Sequence, residues 1–164
     1  MSKILLIGGN GYIGSRLQQS LDVDVVDTNW FSDEGSGEDF KDLTSKHYDD
    51  YDTVILLAGH SSVKMSEGNL NSCFNNNVRN FIDLIEKLDG QRLIYASSSS
   101  VYGSVGGKTV NEKYYGFEPY NQYDISKHTA DLYAQKSAVE YYGLRFGTVN
   151  GCSPVLRTDV MINA

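Results

Sequence analysis

Residues 3–14 read Lys3-Ile4-Leu5-Leu6-Ile7-Gly8-Gly9-Asn10-Gly11-Tyr12-Ile13-Gly14. The run Lys3–Ile7 carries no polar alternation, so it predicts a central parallel strand covered on both faces. Glycine closes it at Gly8 and recurs at Gly11 and Gly14. Gly8 permits a tight turn, Gly11 lets a pyrophosphate approach the backbone, and Gly14 lets the following helix pack close to the strand. Tyr12 and Ile13 open that helix, whose N-terminal N–H groups and dipole favour phosphate. The helix is expected over Tyr12–Leu21, with Ile13, Leu17 and Leu21 on one face. A second strand, Val23–Val26, ends at Asp27, 19 residues beyond Gly8. An acid there accepts hydrogen bonds from the adenosine ribose hydroxyls and repels a 2′-phosphate, so the expected cofactor is NAD rather than NADP.

Further along, Thr28–Asp39 is acidic and bears Gly and Ser, which predicts a surface loop. Phe40–Leu43 is expected as a short third strand and Thr53–Leu57 as a fourth. Leu70–Leu88 sets Phe74, Val78, Phe81, Ile85 and Leu88 at helical spacing. Leu93–Ala96 reads as a strand, Tyr123–Lys136 as a helix and Tyr142–Phe146 as a strand. This alternation predicts an α/β fold: a doubly wound parallel sheet in three α/β/α layers, with right-handed crossovers.

Composition narrows the function classes. The chain has 164 residues, 40% hydrophobic and 21% charged, enough for one domain with one core. Lys and Arg number 14 against 21 Asp and Glu, a net charge of −7 with no basic cluster, which argues against nucleic acid as a partner. The apolar run Ile4–Ile7 is too short for a membrane helix or a signal-peptide core. Cys73 and Cys152 make no disulfide framework, and His47, His60 and His128 stand apart, so no metal site is expected. The expectation is a cytoplasmic protein with a small-molecule partner and no membrane association.

Tyr123-Asp124-Ile125-Ser126-Lys127 holds the one Tyr-x-x-x-Lys of the chain. On a helix the two side chains share a face. The preceding strand runs into Tyr95-Ala96-Ser97-Ser98-Ser99-Ser100-Val101-Tyr102-Gly103, and strand C-termini in such sheets face the ligand crevice. A tyrosine, ordinarily near pKa ~10, needs a drop of roughly 3 units to act as a base at neutral pH. A lysine and a positive nicotinamide ring supply that as nearby charges. The phenolate takes a hydroxyl proton while hydride leaves the same carbon, and a serine hydroxyl polarises the forming carbonyl.

In these motifs the chain resembles the extended short-chain dehydrogenase/reductase superfamily, specifically its NAD-dependent epimerase/dehydratases. The resemblance covers Gly8–Gly14, Asp27, Asp42-Leu43, Leu57-Ala58-Gly59, Asn77-Val78, Ser97–Gly103, Glu112, Pro119, Tyr123, Lys127 and Arg145–Gly151. It implies Ser98, Tyr123 and Lys127 as the catalytic set. It implies Gly8, Gly11, Tyr12, Ile13, Gly14, Asp27, Asp42, Leu43, Leu57, Ala58, Gly59, Asn77, Tyr123 and Lys127 around NAD. It sets Ser61, Ser62, Ser98, Ser99, Tyr123 and Thr148 on the substrate side. It implies a nucleotide-sugar epimerase or dehydratase that oxidises a sugar carbon transiently and returns the hydride, and a homodimer built through a four-helix bundle.

Asn150 stands where the family has Tyr, Cys152 where it has Pro, and Lys127 and Arg145 are only 18 residues apart. Family members continue well beyond the length of this chain. The expectation is therefore a single NAD-binding domain over 1–164, holding only the start of a substrate lobe at 152–164. The resemblance leaves two other readings open: an NAD(H)-binding protein without catalysis, and an NAD-dependent reductase of a small carbonyl compound. Of the remaining residues, His60 is read as a solvated or core histidine, Cys152 as an inert thiol, Trp30 and Phe31 as loop anchors or adenine neighbours. Tyr114, Tyr115 and Tyr120 are read as cleft wall or packed loop.

Overall fold

The computed structural model describes residues 2–28, 37–114, 116 and 118–158. The expectations for Trp30, Phe31 and Tyr115, and for 159–164 of the lobe, lie outside them. Five parallel strands form one sheet: β1 (Ile4–Ile7), β2 (Asp24–Val26), β3 (Thr53–Leu56), β4 (Arg92–Ser98) and β5 (Tyr141–Phe146), in the order β2-β1-β3-β4-β5. In β3 all four residues are buried, as an unbroken apolar run in a central strand requires. Five α-helices accompany them: α1 (Tyr12–Leu17), α2 (Val63–Gly68), α3 (Leu70–Phe74), α4 (Asn80–Lys87) and α5 (Gln122–Lys136).

The core lies between the sheet and α4 and α5. Leu5, Ile7, Val54, Leu56, Leu93 and Tyr95 of the strands meet Phe81, Leu84, Ile85, Ala130 and Ala134 of the helices. The alternate residues Leu6 and Ile55 are buried on the opposite face. Helix α5 is fastened to the sheet by Asp131, which accepts from Tyr95 Oη at 2.8 Å and from Arg145 Nε at 2.9 Å. That carboxylate and its burial hold the Tyr95 phenol far above its ordinary pKa. β5 is an open edge, with Tyr142 and Leu144 exposed.

Three expectations are corrected, and one helix is added. Phe40–Asp42 is a turn of 3-10 helix rather than a strand, which is why the sheet has five strands and not six. Asp39 caps it by accepting from the Lys41 amide, a local bond that competes with strand pairing. α1 ends at Leu17 rather than Leu21, the chain continuing as turns. The 63–68 helix was not expected. The long helix over 70–88 is two helices joined by a π-helical turn, Asn75–Arg79. Such turns add one residue to a helical repeat and re-aim the side chains that follow.

Candidate functional site

The C-terminal ends of β1, β3, β4 and β5 open on one crevice, where the order of the strands reverses around β1. The glycine turn forms one wall, and its three glycines differ in what they do. Gly8 has φ +87°, and a Cβ there would lie 2.4 Å from the Ala58 amide nitrogen. A Cβ at Gly14 would lie 2.3 Å from Gly8 O. Both are glycine because the protein's own backbone needs the space. Gly11 is extended, with φ −80°, and a Cβ there would meet nothing closer than Gly8 O at 3.5 Å. The fold therefore does not require glycine at 11. The space it leaves on the outside of the turn fits a diphosphate approaching the backbone. α1 has no side-chain cap at its N-terminus, so the first amides of Tyr12 and Ile13 are not taken by a capping residue.

Asp27 stands at the end of β2 and accepts from the Asn10 amide at 2.7 Å. Partial burial pushes its carboxyl above the usual carboxylate range, while the Asn10 and Thr28 amides pull it down. It is thus oriented at the rim of the glycine turn, where a ribose would lie. The amides of Leu57 and Ala58 both donate to Ile7 O, at 2.8 and 3.2 Å, so their backbone binds β1. Asp42 is exposed, and the Leu43 side chain is buried in the core at 4% exposure. Leu43 can offer a ligand only its backbone.

Asn77 is buried in the π-helical turn and its carboxamide is fully engaged. Oδ1 accepts from the His60 amide at 2.8 Å, and Nδ2 donates to His60 O and to Ser126 Oγ, both at 3.0 Å. A Cβ at Gly59 would lie 2.6 Å from Oδ1. Asn77 thus ties the β3 exit loop to α5. Ser126 completes that tie by donating to Tyr123 O at 2.8 Å.

Ser98, Tyr123 and Lys127 come together from β4 and α5. The Tyr123 phenol lies within reach of Ser98, whose hydroxyl pulls its pKa down. Ser98 Oγ also accepts from the Ser100 amide at 3.2 Å and shares a bond with Ser100 Oγ at 2.9 Å. Lys127 Nζ donates to Ala96 O at 2.9 Å and lies 5.9 Å from the Tyr123 ring centroid. Burial lowers the Lys127 ammonium to about 8. Tyr123 is raised above its ordinary value, chiefly by burial; the Ser98 hydroxyl and the Arg157 charge pull it down, and Asp124 and Cys73 push it up. The protein alone therefore holds a neutral phenol. The lysine charge is directed to a backbone carbonyl.

On the substrate side, Ser61 Oγ accepts from Arg157 Nη1 at 2.7 Å. The Ser62 hydroxyl caps α2 by accepting from the Met65 amide at 3.3 Å. Ser99 and Thr148 are exposed at the rim. The fold brings three more groups here, none of them among the expected site residues. Arg157 reaches Ser61 and acts on Tyr123. Asn10, inside the glycine turn, orients Asp27. His60, read from sequence as a solvated or core histidine, lies near enough to Lys127 for that charge, after burial, to lower its pKa. Asn10 and Ser126 stood within quoted motifs with no role assigned to them. Among the described residues no group of His, Cys, Asp and Glu could hold a metal, and no helix is long and apolar enough to cross a membrane.

Comparison with known proteins agrees with this geometry. The profile of the NAD dependent epimerase/dehydratase family matches residues 4–158. Protein CapI of Staphylococcus aureus is 29% identical, over 91% of this chain and 54% of that protein. The structure of MoeE5 in complex with UDP-glucuronic acid and NAD is 28% identical, with a TM-score of 0.82, over 98% of this chain and 59% of that one. The UDP-glucuronic acid 4-epimerase of Bacillus cereus, in complex with UDP-glucuronic acid and NAD, is 27% identical, with a TM-score of 0.80, over 98% and 60%. The chain thus spans between half and three fifths of the length of these relatives.

Proposed function

This chain belongs to the NAD dependent epimerase/dehydratase family, and on that footing we propose that it binds NAD at the glycine turn and acts on a nucleotide sugar. The reading is carried by one observation: α5 brings Tyr123 and Lys127 together, Nζ 5.9 Å from the ring centroid, and meets Ser98 at the C-terminal end of β4. Bound NAD supplies the hydride acceptor. Gly11 admits the diphosphate, and Asp27, oriented by Asn10, takes the ribose hydroxyls. The same carboxylate disfavours a 2′-phosphate. As its phenolate, a form that the positive charge of bound NAD would favour over the neutral phenol, Tyr123 takes the proton of a sugar hydroxyl at its phenolic oxygen. Ser98 holds that oxygen in place and donates to the carbonyl as it forms. Lys127, pinned on Ala96 O, presents a cation to the same region. A UDP-sugar is the first substrate to test, since both structures described above hold UDP-glucuronic acid.

The protein also pairs with a second copy in this reading. Leu70 and Phe74, four residues apart on α3, are each 50% exposed, and Leu132 of α5 is 43% exposed. These residues give the two helices a second apolar face, opposite the core.

Calorimetric titration with NAD, followed by UDP-, GDP-, dTDP- and CDP-sugars on the NAD complex, tests the function. We expect NAD to bind and one sugar nucleotide to bind and turn over, with product followed by NMR. Tyr123→Phe should keep NAD binding and lose about 10²–10⁴-fold in rate. NAD binding with no response to any sugar nucleotide would favour the non-catalytic reading, and net absorbance change at 340 nm would favour simple reduction.

A further inference from the structure

The segment that leaves β5 does not trail away from the sheet; it returns to α1. Tyr12 Oη donates to Gly151 O at 2.8 Å, Ser153 Oγ donates to Tyr12 O at 2.7 Å, and Ser15 Oγ lies 2.9 Å from Ser153 Oγ. The chain then turns back toward the β3 exit, where Arg157 Nη1 meets Ser61 Oγ at 2.7 Å. β1, which leads into α1, and β5 are separated in the sheet by β3 and β4. At ordinary strand spacing the segment therefore spans about 14 Å, over strand ends that face the ligand crevice.

The contacts named above are polar. Thr148, Asn150, Gly151, Cys152, Pro154 and Leu156 are exposed, and none of residues 148–157 is fully buried. Segments fixed by a few hydrogen bonds and little apolar burial open locally at low cost. Two glycines lie at the turning points. Gly147 has no neighbour within 4 Å of a would-be Cβ, and Gly151, equally open, sits at φ +131°. Small residues at such points absorb the backbone rotation of a hinge.

We propose that residues 148–157 form a strap that gates dinucleotide exchange, closing across the crevice beside the glycine turn and releasing cofactor only when its contacts with α1 open. This rests on the reading that NAD binds at that turn. The strap makes its α1 contacts through side chains and carbonyls of the protein itself, so it acts on the rates of entry and exit together and changes affinity little.

The test follows NADH fluorescence by stopped flow, which needs no substrate. Ser153→Ala removes two of the α1 contacts. It should raise association and dissociation rate constants alike, by about tenfold, the factor that corresponds to about one hydrogen bond. A staple made by Ser15→Cys and Ser153→Cys, in a Cys152→Ser background, should do the opposite. The two hydroxyls are close enough for a disulfide. When oxidised, the pair should exchange NADH at least about tenfold more slowly, the size of change one such contact makes, and reductant should restore the parent rate. A cross-linked protein that exchanges NADH as fast as its reduced form would overturn the strap, as would a Ser153→Ala variant with unchanged rates. A parent that takes up no NADH would overturn the cofactor reading first, and the strap with it.

Discussion

At the scale of single residues, three glycines in one turn answer to different demands. Gly14 has no room for a methyl, since its Cβ would sit 2.3 Å from a carbonyl oxygen. Gly11 has room, with its nearest neighbour at 3.5 Å. Gly14→Ala should therefore cost about 3 kcal/mol of stability, the size of a core overpacking defect. Gly11→Ala should cost less than about 1 kcal/mol. It should nevertheless weaken NAD binding at least about tenfold, because the methyl fills the diphosphate's approach. Urea denaturation and calorimetry on the two variants separate the effects, and equal stability losses would contradict this division of roles. Position in the motif separates the three roles from sequence, but only the structure shows which atom lies opposite each glycine. The same limit applies to Leu43. It fits the family's cofactor segment, yet its side chain is spent on the core.

Among the elements, the π-helical turn decides how the catalytic helix sits. It carries Asn77, whose carboxamide grips both backbone groups of His60 and the hydroxyl of Ser126. Loss of this one side chain would strand a backbone donor and acceptor at once. Asn77→Ala should destabilise by about 2–6 kcal/mol, at 1–3 kcal/mol for each of the two unsatisfied groups. Asn77→Asp keeps the acceptor and loses the donor, so it should recover less than half of that in a urea melt. Full recovery by Asp would show that the donor bonds to His60 O and Ser126 do not matter. The 70–88 periodicity announced helix correctly. The break could not be read, because a π-turn inserts one residue without any proline or glycine to mark it. The Phe40–Asp42 turn was missed for a related reason: Asp39 captures the Lys41 amide locally, and a short apolar run cannot reveal that competition.

For the whole molecule, the outward apolar residues of α3 and α5 carry the proposed pairing of two copies. Phe74→Glu puts a charge at the centre of the proposed helical face and should convert a dimer into a monomer. NAD binding should be retained, since Phe74 lies outside the glycine turn. Light scattering at micromolar concentration checks both proteins, and a monomeric parent would remove the dimer. The strap belongs to this scale as well, since its bonds join residues 138 and 139 positions apart.

By itself, the sequence determined the elements whose signals are local. The apolar run of β1, its glycine turn and the alternation of strands and helices defined a doubly wound α/β fold. Those features are legible because each follows from the backbone geometry of a few neighbouring residues. Tertiary structure alone decided the rest: that Asn77 serves His60 and Ser126, that Lys127 is directed to Ala96 O, and that residues 148–157 return to α1. The physical reason is common to all three. A hydrogen bond between distant residues depends on where two independently specified elements come to rest, and that position is set by the packing of the whole core.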